Sequence, residues 1–132
     1  MASAPEYAFG NYDPVPVIAK LAASYGIGCH SDACLGSYIN PFIKELGFEL
    51  ECDVDFSVPG VTSISCDTHK YAYGNKGCSV VMFNNKKLRS YQFFSAMYWN
   101  GGMYATSGIA GSRPGCNSAG NWASMLAHGR SG

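Results

Sequence analysis

The chain has 132 residues, 14% of them charged and 47% hydrophobic, with nine basic and nine acidic side chains and no formal net charge. A chain of this length and apolarity makes one domain and is neither disordered nor collagen-like, and no apolar run approaches the roughly 18 residues of a spanning helix. The neutrality hides a division: residues 1–69 set nine acids against Lys20 and Lys44, a net charge of −7, whereas residues 70–132 carry seven bases and no acid, a net charge of +7.

The start, MASAPEYAFG, lacks the basic and then apolar pattern of a secretory signal, so a soluble, intracellular protein is expected. The first helix is predicted over Pro14 to Tyr25, with Asp13 as its cap, Gly26 as its stop, and Val17, Ile18, Leu21, Ala22 and Tyr25 on its apolar face. A strand over Gly28 to Ala33 follows. Next comes a helix over Leu35 to Leu46 that Pro41 should bend. Val61 to Cys66 and Gly77 to Phe83 are nearly uncharged and rich in β-branched residues, as strands buried on both faces are. The polar DTHKYAYGNK between them reads as a loop. Asn85 to Tyr91 is expected to form a short basic helix and Gly101 to Gly115 an irregular stretch, with a last helix from Pro114 through Trp122 and Leu126. Helices alternating with buried strands predict an α/β fold, a mostly parallel sheet with helices on both faces. The chain opens into a loop with no strand before it and ends just after a helical pattern, so a segment of a larger domain is expected.

Six cysteines admit a disulfide framework, but Cys29, Cys34, Cys66 and Cys78 sit in apolar stretches, which favours free thiols in a reducing compartment. The spacings of Cys29, His30 and Cys34 and of Cys66 and His69 match no zinc pattern with repeated C-x2-C pairs, so no metal is expected.

Lys70 follows Asp67-Thr68-His69 directly after a buried strand, which projects its amine at the sheet's carboxyl edge, where open α/β sheets bind ligands. Partial desolvation there would lower its proton affinity and make it a nucleophile toward aldehydes; the alternative is a solvated charge. Asp32 ends the other strand among small and apolar residues, where a carboxylate needs a partner. A pyridinium nitrogen is one partner, and a helix cap at Ala33 or Cys34 is the other reading.

Three segments, His30-Ser31-Asp32-Ala33-Cys34-Leu35-Gly36, Gly60 through Asp67-Thr68-His69-Lys70-Tyr71, and Ala110-Gly111-Ser112-Arg113-Pro114-Gly115, resemble the sphingosine-1-phosphate lyases. These form a branch of the pyridoxal-phosphate-dependent group II decarboxylase family. The resemblance implies the large domain of the aspartate-aminotransferase fold type (fold type I), with residues 1–132 a fragment of it. The upstream phosphate loop, the N-terminal segment and the C-terminal small domain would lie elsewhere. It further implies that Lys70 bonds pyridoxal 5'-phosphate as a Schiff base, that Asp32 pairs with the ring nitrogen, that His69 helps hold the cofactor phosphate and that Ala33 packs on the ring. Lys76 and Arg113 become candidates for a substrate phosphate. Lys86, Lys87 and Arg89 read as surface charge. Asn75 departs from the branch pattern, which has proline there, and a less rigid Lys70–Lys76 loop is expected.

The implied reaction is carbon-carbon cleavage of a phosphorylated sphingoid base to a long-chain aldehyde and phosphoethanolamine. The alternatives are a group II amino-acid decarboxylase and a non-catalytic module. A homodimer facing the cytosol is implied, with no nucleic-acid partner. Eukaryotic members of the branch reach the endoplasmic reticulum membrane only through an N-terminal anchor, which is not in this sequence.

Overall fold

The computed structural model describes residues 1–131. Four strands form one sheet in the order β1 (Ala2–Ser3), β2 (Cys29–Asp32), β3 (Val61–Cys66), β4 (Val80–Phe83). The first three are parallel and β4 runs antiparallel to β3. A separate ribbon pairs β5 (Phe94–Ala96) with β6 (Tyr104–Thr106). Helices are α1 (Val15–Ser24), a 3-10 turn at Gly36–Tyr38, α2 (Asn40–Ile43), α3 (Lys86–Ser90) and α4 (Gly115–His128). Among the described residues no helix is long and apolar enough to cross a membrane.

The opening is the first departure from expectation. Ala2–Ser3 is a strand, because Ser3 and Ala4 find backbone and side-chain partners: Ala4 donates to the Asp32 carbonyl at 2.8 Å, and the Ser3 N–H donates to Asp13 Oδ2 at 2.8 Å. Asp13 therefore ties down the edge strand instead of capping α1, whose N-terminus has no side-chain cap. The helix itself lies as predicted but is turned about its axis. Val15, Ala19 and Ala22 face the core, a 4-then-3 spacing, while Val17, Leu21 and Tyr25 are exposed. Small residues win the inward face because the chain before β3 passes close by: a Cβ at Gly60 would stand 2.6 Å from the Ala19 carbonyl oxygen.

The core joins Ala2, Val15, Ala19, Cys29, Ala33, Val54, Val58, Val61, Ile64 and Cys66 in one cluster. Ser31 pairs with Ile64 and shares this covered side. On the other side, His30, Asp32, Ser63 and Ser65 remain half-buried. β3 is thus apolar on one face only. β4 is more open still, with Val81 49% exposed, and it begins at Val80 instead of Gly77. Proline splits the second helix more severely than a bend: only a 3-10 turn and the four residues of α2 remain of Leu35 to Leu46. The Gly-rich stretch contains β6, which sequence periodicity missed because each strand of the ribbon is three residues long.

Candidate active site

The parallel strands end at one edge, and both singled-out residues are there. Asp32 is the last residue of β2, and β3 closes at Cys66, followed by Asp67, Thr68, His69 and Lys70. The loop turns back on itself through Lys70 N–H to the Asp67 carbonyl and Gly74 N–H to the Thr68 carbonyl. The carbonyls of Asn75 and Ala72 accept from Asn121 Nδ2 at 3.4 Å and Ser124 Oγ at 2.8 Å on α4. Gly74 and Gly120 allow this docking, since a Cβ at the first would collide with the Asn121 side chain and at the second with that of Asn75. The loop expected to be less rigid for want of a proline is pinned by a helix instead.

Lys70 Nζ lies 2.9 Å from Asp67 Oδ2. Asp67 in turn accepts from Ser79 Oγ at 2.5 Å, and the His69 ring nitrogen Nε2 stands 4.0 Å from it. Desolvation raises the Asp67 pKa, but Ser79 and Lys70 outweigh it and the carboxyl is held below its usual range. Desolvation likewise works against the Lys70 ammonium. Its contacts with Cys34 and Asp67 reverse that, so the pKa of Lys70 is raised. The expectation of a lysine with weakened proton affinity is therefore wrong for this state of the site: Cys34 and the ionised Asp67 three residues back together outweigh the partial burial.

Asp32 Oδ1 accepts from Ser65 Oγ at 2.8 Å and from the Cys34 N–H at 3.1 Å. Burial pushes its carboxyl up, yet the bonds from Ser65 and Cys34 push it further down, so it is ionised at neutral pH. The capping reading thus holds for Oδ1. Oδ2 accepts no hydrogen bond among the described residues and is left for another donor. His69 Nδ1 lies 3.2 Å from the Cys78 carbonyl, which can only accept, so the proton is on Nδ1.

Ala33 does not face this cluster. It is 3% exposed and packs into the core, because it follows Asp32 with its N–H bonded to the Ser65 carbonyl. Cys34, read from sequence only as a free thiol, is the half-buried residue that borders Lys70. Lys76 and Arg113 are exposed and stand apart from these contacts; Arg113 donates to the Ser112 carbonyl at 2.8 Å. Asp67, Cys34 and Ser65 were missed. The available signal was the alternation Ser63-x-Ser65 in a run otherwise read as apolar, which marks one open face.

The model of the pyridoxal-dependent decarboxylase conserved domain matches residues 4–132. The chain belongs to this family. It is 52% identical over all 132 residues to rat sphingosine-1-phosphate lyase 1 and 44% identical to the Saccharomyces cerevisiae sphingosine-1-phosphate lyase. It spans 23% and 22% of those proteins' lengths. Among solved structures, the Burkholderia pseudomallei sphingosine-1-phosphate lyase superposes with a TM-score of 0.90 at 40% identity, over 98% of this chain and 29% of that one. Lactobacillus brevis glutamate decarboxylase matches at 0.75 with 22% identity, over 99% and 30%, which shows the shared fold. The family's pyridoxal phosphate suits the residues found here. An ionised carboxylate with one open oxygen, a lysine on the same sheet edge and a Thr68 hydroxyl 2% exposed without a partner are what such a polar ring and its aldehyde would engage.

Proposed function

We propose that in the whole protein this segment carries the cofactor of a carbon-carbon lyase. That enzyme would cleave phosphorylated sphingoid bases between C2 and C3 to a long-chain aldehyde and phosphoethanolamine. The observation that carries the reaction class is the pair of residues at the strand ends, Asp32 with its open oxygen and Lys70 on the loop after β3. The substrate class is supported by 52% identity to a sphingosine-1-phosphate lyase along the entire chain.

When bound, pyridoxal phosphate supplies an electron sink for the carbon left negative as a bond at the substrate's amino-bearing carbon breaks. Lys70 would bond the cofactor's aldehyde carbon. Asp32 Oδ2 would accept the ring N–H and keep that nitrogen protonated. His69, with Nδ1–H already committed to Cys78, would donate to the cofactor phosphate from Nε2 only as the imidazolium. Lys76 and Arg113 are cations with room to take a substrate phosphate. Six free thiols suit a reducing compartment, which supports a cytosol-facing domain. Exposed Val17, Leu21 and Tyr25 on α1 and Tyr98 and Trp99 offer apolar surface for further protein to cover, consistent with a larger domain and a homodimer.

The test is to supply the full-length protein, in parallel, with sphingosine 1-phosphate and with glutamate. Release of long-chain aldehyde from the first alone is expected; carbon dioxide from the second would replace the lyase by a decarboxylase. A second expectation concerns pH. Aldehydes react with the free amine, and the raised Lys70 pKa keeps that form scarce at neutral pH. Capture of pyridoxal phosphate by the apoprotein should therefore accelerate as pH rises. Asp67→Asn should move the profile to lower pH, and a stopped-flow profile unmoved by that change would show that Asp67 does not set the amine's proton affinity.

A further inference from the structure

Resting on that reading of Asp32, a second set of contacts extends the site upstream. Oδ1 of the ionised Asp32 can only accept, so at 2.8 Å the Ser65 hydroxyl proton points to it. Ser65 Oγ must then accept from His30 Nε2 at 3.1 Å, which puts a proton on Nε2. In the neutral ring Nδ1 is left as an acceptor, and Ser63 Oγ lies 2.8 Å from it. The four side chains form one directed series, Ser63 to His30 to Ser65 to Asp32, along the half-buried face of β2 and β3.

The backbone builds this series. A register shift between Cys29 and His30 sets His30 opposite Ser63 and Asp32 opposite Ser65. Without it, the side chains of residues 30–32 would meet the wrong face of β3. An imidazole needed only for packing would not require both ring nitrogens to be met by hydroxyls, nor a hydroxyl whose only free direction is the carboxylate.

We propose that His30 is a positioning residue for Asp32: by donating to Ser65 it fixes the Ser65 hydroxyl on Oδ1 and leaves Oδ2 as the oxygen presented to the cofactor's ring nitrogen. His30 touches neither cofactor nor substrate in this role. Removing it frees the Ser65 hydroxyl to turn away, and the carboxylate loses both its fixed orientation and a bond that favours its charged form.

The experiment uses the full-length protein and pyridoxal phosphate labelled with nitrogen-15 in the ring. His30→Leu is expected to weaken cofactor binding about tenfold, the scale of one hydrogen bond to a charged group, and to move the ring-nitrogen signal toward the unprotonated pyridine. His30→Gln, whose amide nitrogen reaches the place of Nε2, should return both readouts to within about threefold of the wild type, a separation smaller than one hydrogen bond. Ser65→Ala should reproduce the leucine variant, and the double variant should be no worse than either single one. Wild-type binding and signal in His30→Leu, or a glutamine variant as impaired as the leucine one, would overturn the role. Should His30→Leu fail to fold, judged by circular dichroism of the apoprotein, Ser65→Ala decides, and an unmoved nitrogen signal there overturns the role equally. A wild-type protein that takes up no cofactor would bring down the reading of the site itself, and His30 with it. Normal wild-type loading with unmoved variants removes His30 alone.

Discussion

Lys70→Ala in the full-length protein is expected to abolish covalent capture of pyridoxal phosphate, so that the visible absorption of the lysine-bound cofactor disappears and borohydride no longer fixes it to the chain. Turnover should fall by at least about a hundredfold, the lower end of what a missing acid-base or covalent group costs. Some reversible binding should persist, because Asp32 is held ionised by Ser65 and Cys34 independently of Lys70. Removing the lysine also releases Asp67 from a 2.9 Å ion pair, but its bond from Ser79 remains. The contrast is Lys76→Ala. This exposed side chain should leave the absorption band intact and raise KM for a phosphorylated substrate. Survival of the band in Lys70→Ala would transfer the covalent role to another amine and undo the assignment.

Gly60→Ala is expected to be the most damaging small change to the fold. The glycine has φ of +99°, a region that costs an L-residue about 1–2 kcal/mol. An added methyl would also stand 2.6 Å from the Ala19 carbonyl oxygen, a backbone atom of α1 that cannot rotate away. Relief requires separating α1 from the start of β3, which opens the contact of Ala19 and Val61 with the core, at about 1–3 kcal/mol more. A combined loss of about 2–5 kcal/mol should appear as a fall of several degrees in the apoprotein's melting temperature. Gly10→Ala is the comparison. It has a similar positive φ but open space around it, so only the conformational part should be lost. Equal melting temperatures for the two variants would show that the approach of α1 to Gly60 carries no strain.

The main strands were legible because their residues are locally unambiguous: Val61 to Cys66 is β-branched and uncharged, and it is β3 to the residue. Lys70 and Asp32 were legible as chemistry because Asp32 closes one buried strand and Lys70 follows the end of the next by only four residues, which puts a carboxylate and an amine at the same edge of the sheet. What failed did so for non-local reasons. The inward face of α1 was read correctly at Ala22 and Ile18 but misjudged at Val17, Leu21 and Tyr25, the larger apolar residues, whereas close passage of Gly60 selects Ala19. Two-residue β1 has no periodicity to detect; only Asp13 and Asp32, far along the chain, make it a strand. Ala33 was given the place beside the cofactor on resemblance alone. Its position immediately after a half-buried Asp32 packs it into the core. The partner of Lys70 was overlooked because Asp67 was read only as part of a motif, not as a carboxylate one turn away from an amine.

The docking of α4 has a consequence for how the protein is made. The loop bearing Lys70 is held by Asn121 and Ser124, which lie 46 and 52 residues beyond the carbonyls they bond. On the ribosome, β2 and β3 can pair while those residues are still being added, but the lysine loop has only its own bonds and those to Cys78 and Ser79 until α4 has emerged and formed. The far end of that loop, at Ala72 and Asn75, is therefore among the last parts of this segment to be set in place. A nascent chain halted before α4 would carry an assembled sheet with the Lys70–Asp67 pair in place and the Ala72–Asn75 end of the loop without its partners.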